Sequence, residues 1–390
     1  MAGPLSGLLS SVALAAALAA PAGAGTFAEP LPVEPLGTIE TLPARYPSSW
    51  MLLHDLHFPS ILDGRGVIVD LTAETRNFKG MFRVAQFGSL LQASTRPEIY
   101  VAETMFSRLT TGERTDVVTI YDSATLQPTG EIVLPGGKRG QVVTQKNTLQ
   151  FTDNERLGLL FNFTPAASVR VLDLINRTVV EEIETPGCSL VYPTGARGFS
   201  MLCANGTLTT FRLDAAGKLA GQSVSKPFHD IDNNAMFLMP ATAGGVAHFA
   251  TFPGKVQPID FRADTPKVLP GWSLVTPEEA KAGWRPSGWQ VTTGDDTGRL
   301  YVLMQSNGRE GSHKEGGTEV WVFDAAKKTR VQRITLTNPG LSIEATRGPA
   351  PLLAVSSLAG TLDVYGADGK LVRSLAGRLA DSPMVLHAAR

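Results

Sequence analysis

The sequence predicts an all-β protein, a seven-bladed β-propeller with four-stranded antiparallel blades. Three observations predict it. An apolar five-residue strand core that ends at a turn recurs seven times along the 390 residues. The steps between the ends of successive copies, 52, 51, 41, 46, 64 and 42 residues, fall near or somewhat above the roughly 40–45-residue period of a propeller blade. The 39 glycines and 26 prolines are spread through the chain, which suits many tight turns and argues against long helices.

Taken in order, the elements start with a segment unlike the rest. Leu8 to Ala20 is an apolar, alanine-rich run, and Ala22-Gly23-Ala24 supplies the small residues that a signal peptidase reads. Residues 1–24 are therefore read as a signal peptide, although Met1–Ser6 contains neither Lys nor Arg. Cleavage there starts the mature chain near Gly25, outside the cytoplasm. Residues 25–47 are proline-rich and read as an extended arm, and residues 48–390 as the propeller. Within it the cores are Gly66–Asp70, Val118–Asp122, Val169–Asp173, Thr210–Asp214, Val256–Asp260, Val320–Asp324 and Leu362–Gly366. Nearly every position of a core such as Val320-Trp321-Val322-Phe323 is apolar, as expected of a strand covered on both faces. The closing Asp or Gly is a turn former.

Composition excludes several classes of function. Thirty-five basic residues against 36 acidic ones leave no electrostatic footprint for nucleic acid. Beyond the first twenty residues no run is long and apolar enough to span a bilayer. The two cysteines, Cys188 and Cys203, lie fifteen residues apart, and in an oxidising compartment this predicts a disulfide joining adjacent strands of one blade. Without clustered histidines they do not make a metal site.

Catalytic motifs are lacking: there is no Gly-x-Ser-x-Gly, His-Glu-x-x-His, phosphate loop or dinucleotide fingerprint. His54 and His57 would point to opposite faces of a strand. The loop at His229–Asp232 gathers His, Asp and Asn groups but has neither the glycine nor the bidentate glutamate of a calcium loop. No metal ligand set and no catalytic residue is assigned. The dense loops carry more information. Gly283 to Gln290 places Trp284, Arg285 and Trp289 within eight residues, Gly311-Ser312-His313-Lys314 follows, and Arg108 and Arg114 stand six apart just before a strand core. Trp and Arg dominate protein interfaces. The same residues also serve as packing wedges and as bidentate partners of carboxylates.

These loops resemble a known family. Ser-Arg-x-x-x-Gly-Glu-Arg-Thr-Asp-Val-Val at 107–118, Pro-Gly-Cys at 186–188, Phe-Ser-Met-x-Cys at 199–203, Gly-Trp-Arg-Pro-x-Gly-Trp-Gln at 283–290, Arg-Leu-Tyr-Val-Leu-Met at 299–304 and His-Lys with Glu-Val-Trp-Val-Phe-Asp at 313–324 are similar to the heavy chain of quinoprotein amine dehydrogenases. The likeness runs from about Trp50 to Val385. It implies a periplasmic propeller that is not itself the catalytic subunit. A light (beta) subunit would carry tryptophan tryptophylquinone, two heavy and two light chains would form an α2β2 heterotetramer, and primary amines would be oxidised to aldehyde and ammonia. A blue copper protein, amicyanin- or azurin-like, would receive the electrons. The resemblance also implies that an aromatic residue soon after a Gly-Met pair lines the substrate channel. Here Phe82 and Phe87 follow Gly80-Met81, and the count favours Phe87. Ser287 stands where the family has Gly, which leaves any positive φ in that pair to Gly288. Segments 223–228 and 270–274 point towards the aromatic-amine branch. Two other readings fit a propeller, an extracellular scaffold and a metal-dependent, lactonase-like hydrolase.

Overall fold

A computed structural model describes residues 40–357, 359–375 and 379–390. The segment 1–24, expected to be a signal peptide, and the expected arm as far as Ile39 lie outside the described residues. Thr41–Arg390 forms one compact unit, and no described helix is long and apolar enough to cross a membrane.

The chain is an all-β propeller, and each of the seven predicted cores lies on a strand or runs off the end of one. Seven separate four-stranded blades are not what forms. Hydrogen bonding divides the described strands into six sheets: four of four strands, one of five and one of eight. Five sheets thus have the size of a single blade, and the last two cores share the eight-stranded sheet. The physical reason lies in one strand, Thr329–Ala345. Its first half pairs with Gly317–Asp324 and its second with Leu353–Ser357. Asn338-Pro339-Gly340 reads as a breaker, yet Gly340 pairs with Gly317 on one side and Ser357 on the other, so the ladder continues through it. A Cβ at Gly340 would sit 2.7 Å from the Val355 side chain. Only glycine lets both neighbours approach. Recurrent cores count strands, whereas a sheet is defined by bonds between strands that lie apart in sequence.

The ring closes by pairing opposite ends of the chain. Pro383–Ala388 lies beside Trp50–Asp55, with Leu386 opposite Leu53 and Ala388 opposite Met51. The buried Asp55 carboxylate accepts from the Asp381 and Ser382 amides at 2.9 and 2.7 Å. Across the centre, Lys146 and Glu344, 198 positions apart, pair at 2.8 Å, and Glu344 also accepts from Gln290, Thr293 and the Ala388 amide. The core lies between the sheets. Phe199 stacks on Phe211 at 4.8 Å, Tyr192 meets Phe249 at 5.2 Å, and Trp321 is fully buried. Each such ring contributes about 1.5–3 kcal/mol by leaving water.

Cys188 and Cys203 face each other in the register of Cys188–Pro193 and Gly198–Cys203 and are joined by a disulfide. The described end of the arm lies against the turn that follows the strand Thr111–Asp122: Leu42 donates its amide to the Ala124 carbonyl, and the Tyr46 hydroxyl donates to the Ser123 carbonyl at 2.6 Å.

Candidate functional site

Phe87 sits in the short connection between the strands Phe78–Arg83 and Ser89–Gln92. Gln86 and Phe87 both adopt left-handed backbone conformations, with φ of 44° and 51°. Two adjacent side-chain-bearing residues in that region store strain, which the surroundings must offset. The surroundings supply a dense set of bonds. The Ala85 amide donates to Glu103 at 3.0 Å, the Gln86 amide to the Ile61 carbonyl at 2.9 Å, and the Arg139 guanidinium to the carbonyls of Gln86 and Phe87, both at 2.7 Å.

Arg139 is 3% exposed and comes from the loop between Pro128–Leu134 and Leu149–Thr152. Its Nε and Nη2 also donate to the Thr104 hydroxyl, and its amide to Asp116 at 3.0 Å. Asp116 is fully buried, accepts from Thr104 at 2.7 Å and takes a bidentate pair from Arg114 at 2.9 and 3.0 Å. Arg114 also donates to the Arg139 carbonyl. Burial pulls the Arg139 guanidinium down to about 10, against the attraction of Asp116. It stays charged at neutral pH.

Phe87 and Arg139 border an apolar hollow of about 180 Å³ with Val142, Phe161, Phe163, Leu190 and Leu238. A second hollow of about 140 Å³ shares Gln145 and Leu238 with the first and adds Phe252, Trp289 and His313. A small third one, bordered by Arg285, joins at Phe252 and His313. One groove therefore gathers Phe87, Trp289, His313 and Arg285, which lie up to 226 positions apart. His313 stacks on Phe252 at 4.4 Å, Lys314 lies over the Trp289 ring at 5.9 Å, and Trp289 Nε1 donates to the Thr144 carbonyl. Burial and the neighbouring Lys314 keep the His313 imidazole below its ordinary pKa. Beside the groove Val142 and Phe163 are more than half exposed, and at the tip of the hairpin Glu98–Arg108 and Thr111–Asp122 Leu109 is 78% exposed. Val142 and Phe163 lie together beside Gly140, and contiguous exposed apolar surface is usual where another protein or a ligand binds.

The Trp289 loop owes its course to Gly288, whose φ is 143° and whose hypothetical Cβ would lie 2.5 Å from the Leu341 carbonyl oxygen. Ser287, beside it, is buried and donates to the Ser312 carbonyl.

Other predicted residues lie elsewhere. Phe82 is 5% exposed, packed against Tyr121 and under Gly66, and does not border the groove. Trp284 leans on Trp321 at 5.0 Å, and the Arg333 guanidinium covers both rings at 4.6 and 4.8 Å. Arg108 is exposed at the hairpin tip. His54 is buried, whereas His57 is partly exposed and pairs with Asp381. In the loop at His229–Asp232, Asp230 accepts from Asp232 and Asn233, and His229 bonds the Asn234 carbonyl. Among the described residues no three His, Cys, Asp or Glu side chains gather as a metal site would require.

Sequence reading missed Arg139, Gln145, Leu238 and Phe252. The one local signal for Arg139 is its setting in Gly136-Gly137-Lys138-Arg139-Gly140, a loop with more freedom than a turn needs.

The strands and the groove define a β-propeller with an apolar groove among its loops. Among solved structures, a putative 6-phosphogluconolactonase from Bacteroides fragilis shares the fold at a TM-score of 0.55 and 14% identity, covering 87% of this chain and 97% of that one. The sequence carries the relationship further. Residues 57–389 match the methylamine dehydrogenase heavy chain (MADH) family, and the chain belongs to that family. The methylamine dehydrogenase heavy chain of Methylorubrum extorquens is 30% identical over 73% of this chain and 70% of its own length. That of Methylophilus methylotrophus is 27% identical over 83% and 80%.

Proposed function

We propose that this chain is the non-catalytic heavy subunit of a periplasmic amine dehydrogenase that converts primary amines to aldehyde and ammonia. Its partner is a light subunit bearing tryptophan tryptophylquinone, in an α2β2 heterotetramer that passes electrons to a blue copper protein. One observation carries the reading: the family match spans residues 57–389 and so includes every loop that builds the groove. The quinone does not fit this chain's own tryptophans. The close pair Trp284 and Trp321 is held under Arg330 and Arg333, and neither ring borders the groove. When bound on the partner, the quinone supplies the redox chemistry, and this chain supplies surface. The groove and its exposed apolar rim would seat the light subunit, exclude water near the reacting amine, and leave Phe87 at the channel mouth.

The reading extends to the ends of the chain, with residues 1–24 an export signal and 25–47 an arm. The test is to express the chain with its native neighbouring genes and purify it by a tag. A small quinone-absorbing subunit should co-purify, and the complex should reduce a dye acceptor with methylamine or phenylethylamine. Recovery of the heavy chain alone from a host that makes both subunits would refute the proposal.

A further inference from the structure

We infer that Arg139 is a positioning residue for the amine channel: its buried guanidinium holds the Gln86–Phe87 turn in a left-handed conformation and thereby sets where the Phe87 ring stands at the groove. The inference rests on the proposed channel role of Phe87 but goes beyond it: Arg139 also borders the hollow, yet its guanidinium bonds are spent on the turn carbonyls and on Thr104, so its effect on the channel runs through the turn. Four features support it. Consecutive non-glycine residues at φ of 44° and 51° do not hold such a turn unaided. Arg139 bonds both of their carbonyls at 2.7 Å, which is the planar fork geometry that guanidinium offers and ammonium does not. The fork is itself fixed from behind by Thr104, while Asp116 and Arg114 hold the Arg139 backbone. Finally, the side chain that the turn presents borders an open apolar hollow and is only partly buried, so a change in its position is felt by whatever enters.

The turn is thus strained where it faces the groove and anchored where it faces the core. That arrangement fixes the aromatic side chain at the hollow from a neighbouring loop. Misplacement by about 1 Å is enough to alter rates up to about a hundredfold in oriented sites. A displaced ring should discriminate among amines by size, because a bulky amine meets the ring and methylamine largely does not.

The test uses the complete light- and heavy-chain complex with Arg139→Lys, Phe87→Ala and the double variant, assayed with methylamine and phenylethylamine. Arg139→Lys should change the ratio of the two kcat/KM values by about tenfold, mainly through KM for the larger amine. Phe87→Ala should change the ratio at least as much, and the double variant should match Phe87→Ala alone. Thr104→Val, which removes a partner of the guanidinium and keeps its charge, should shift the ratio in the same direction by a smaller factor and serves if Arg139→Lys fails to assemble. If Phe87→Ala shifts the ratio while Arg139→Lys and Thr104→Val leave it unchanged or slow both amines equally, the positioning role is wrong and the channel role stands. If Phe87→Ala leaves the ratio unchanged, the channel role falls and this inference with it.

Discussion

Asp116 shows how one residue can support a surface it never reaches. It is fully buried and accepts from Arg114, from Thr104 and from the Arg139 amide. It is also the charge that most favours the buried Arg139 cation. Asp116→Asn would keep the shape but take the carboxylate from the Arg114 guanidinium and a favourable charge from the buried Arg139. Removing one partner of a buried pair costs about 3–5 kcal/mol. Urea unfolding of the purified chain should therefore show a loss of that order, and a loss below about 1 kcal/mol would mean that solvent already supports the arginines. Arg114 is a residue whose structural meaning could be read in advance, since Trp- and Arg-rich loops admit bidentate pairing with a nearby carboxylate. Arg139 was not legible, because its partners lie 35 and more positions away in the side-chain and carbonyl contacts that matter.

At the scale of elements, the disulfide and the continuous strand make opposite demands on the sequence. Cys188 and Cys203 are close in sequence and face each other across neighbouring strands, so the pairing is a local event that spacing and compartment suffice to anticipate. The bridge closes a loop of 15 residues, worth about 3 kcal/mol in the chain-entropy view. Replacing both cysteines with serine should lower stability by about that amount in denaturant titration, and the wild-type chain should lose the same amount when reduced. Stability indifferent to reduction would show that the strand pairing alone fixes this sheet. The strand Thr329–Ala345 is different. Whether the ladder stops at Asn338-Pro339 depends on two partner strands on opposite sides, and Gly340 satisfies both. Local turn chemistry predicts a break there, but the tertiary partners override it.

The whole molecule is a closed ring, and its seam carries buried titratable groups. His54 lies in the closing sheet, its ring centroid 6.4 Å from that of His387 on the next strand. Burial pushes the His54 imidazole down to about 4, only partly opposed by Asp55. Burial, together with Lys146, His54 and Arg390, lowers His387 as well. Above the ordinary value of 6.5 both folded and unfolded chains hold these rings neutral, and nothing is lost. Below it the unfolded chain takes up protons that the folded chain refuses, so stability falls with pH until about 4, where the folded His54 also protonates. For His54 the span is worth roughly 3 kcal/mol. Thermal melts between pH 7 and pH 4 should show this decline, and His54→Leu should flatten part of it. An unchanged slope in that variant would place the acid sensitivity elsewhere.

By itself the sequence determined the class of fold, the strand cores, the disulfide and the family. Each depends on residue types or spacings that act locally: apolar runs ended by turn formers, two cysteines fifteen apart, and ordered loop motifs. Tertiary structure decided how the cores divide into sheets, which of the marked aromatic residues reach the groove and which wedge the core, and what holds the Phe87 turn. Those outcomes depend on contacts between residues far apart in the chain. Phe82 and Phe87 are five positions apart and alike in chemistry, yet one packs under Gly66 while the other borders an open hollow. Strand register sets Phe82 opposite Gly66, whereas the turn of Phe87 is bonded by Arg139 from a loop distant in sequence.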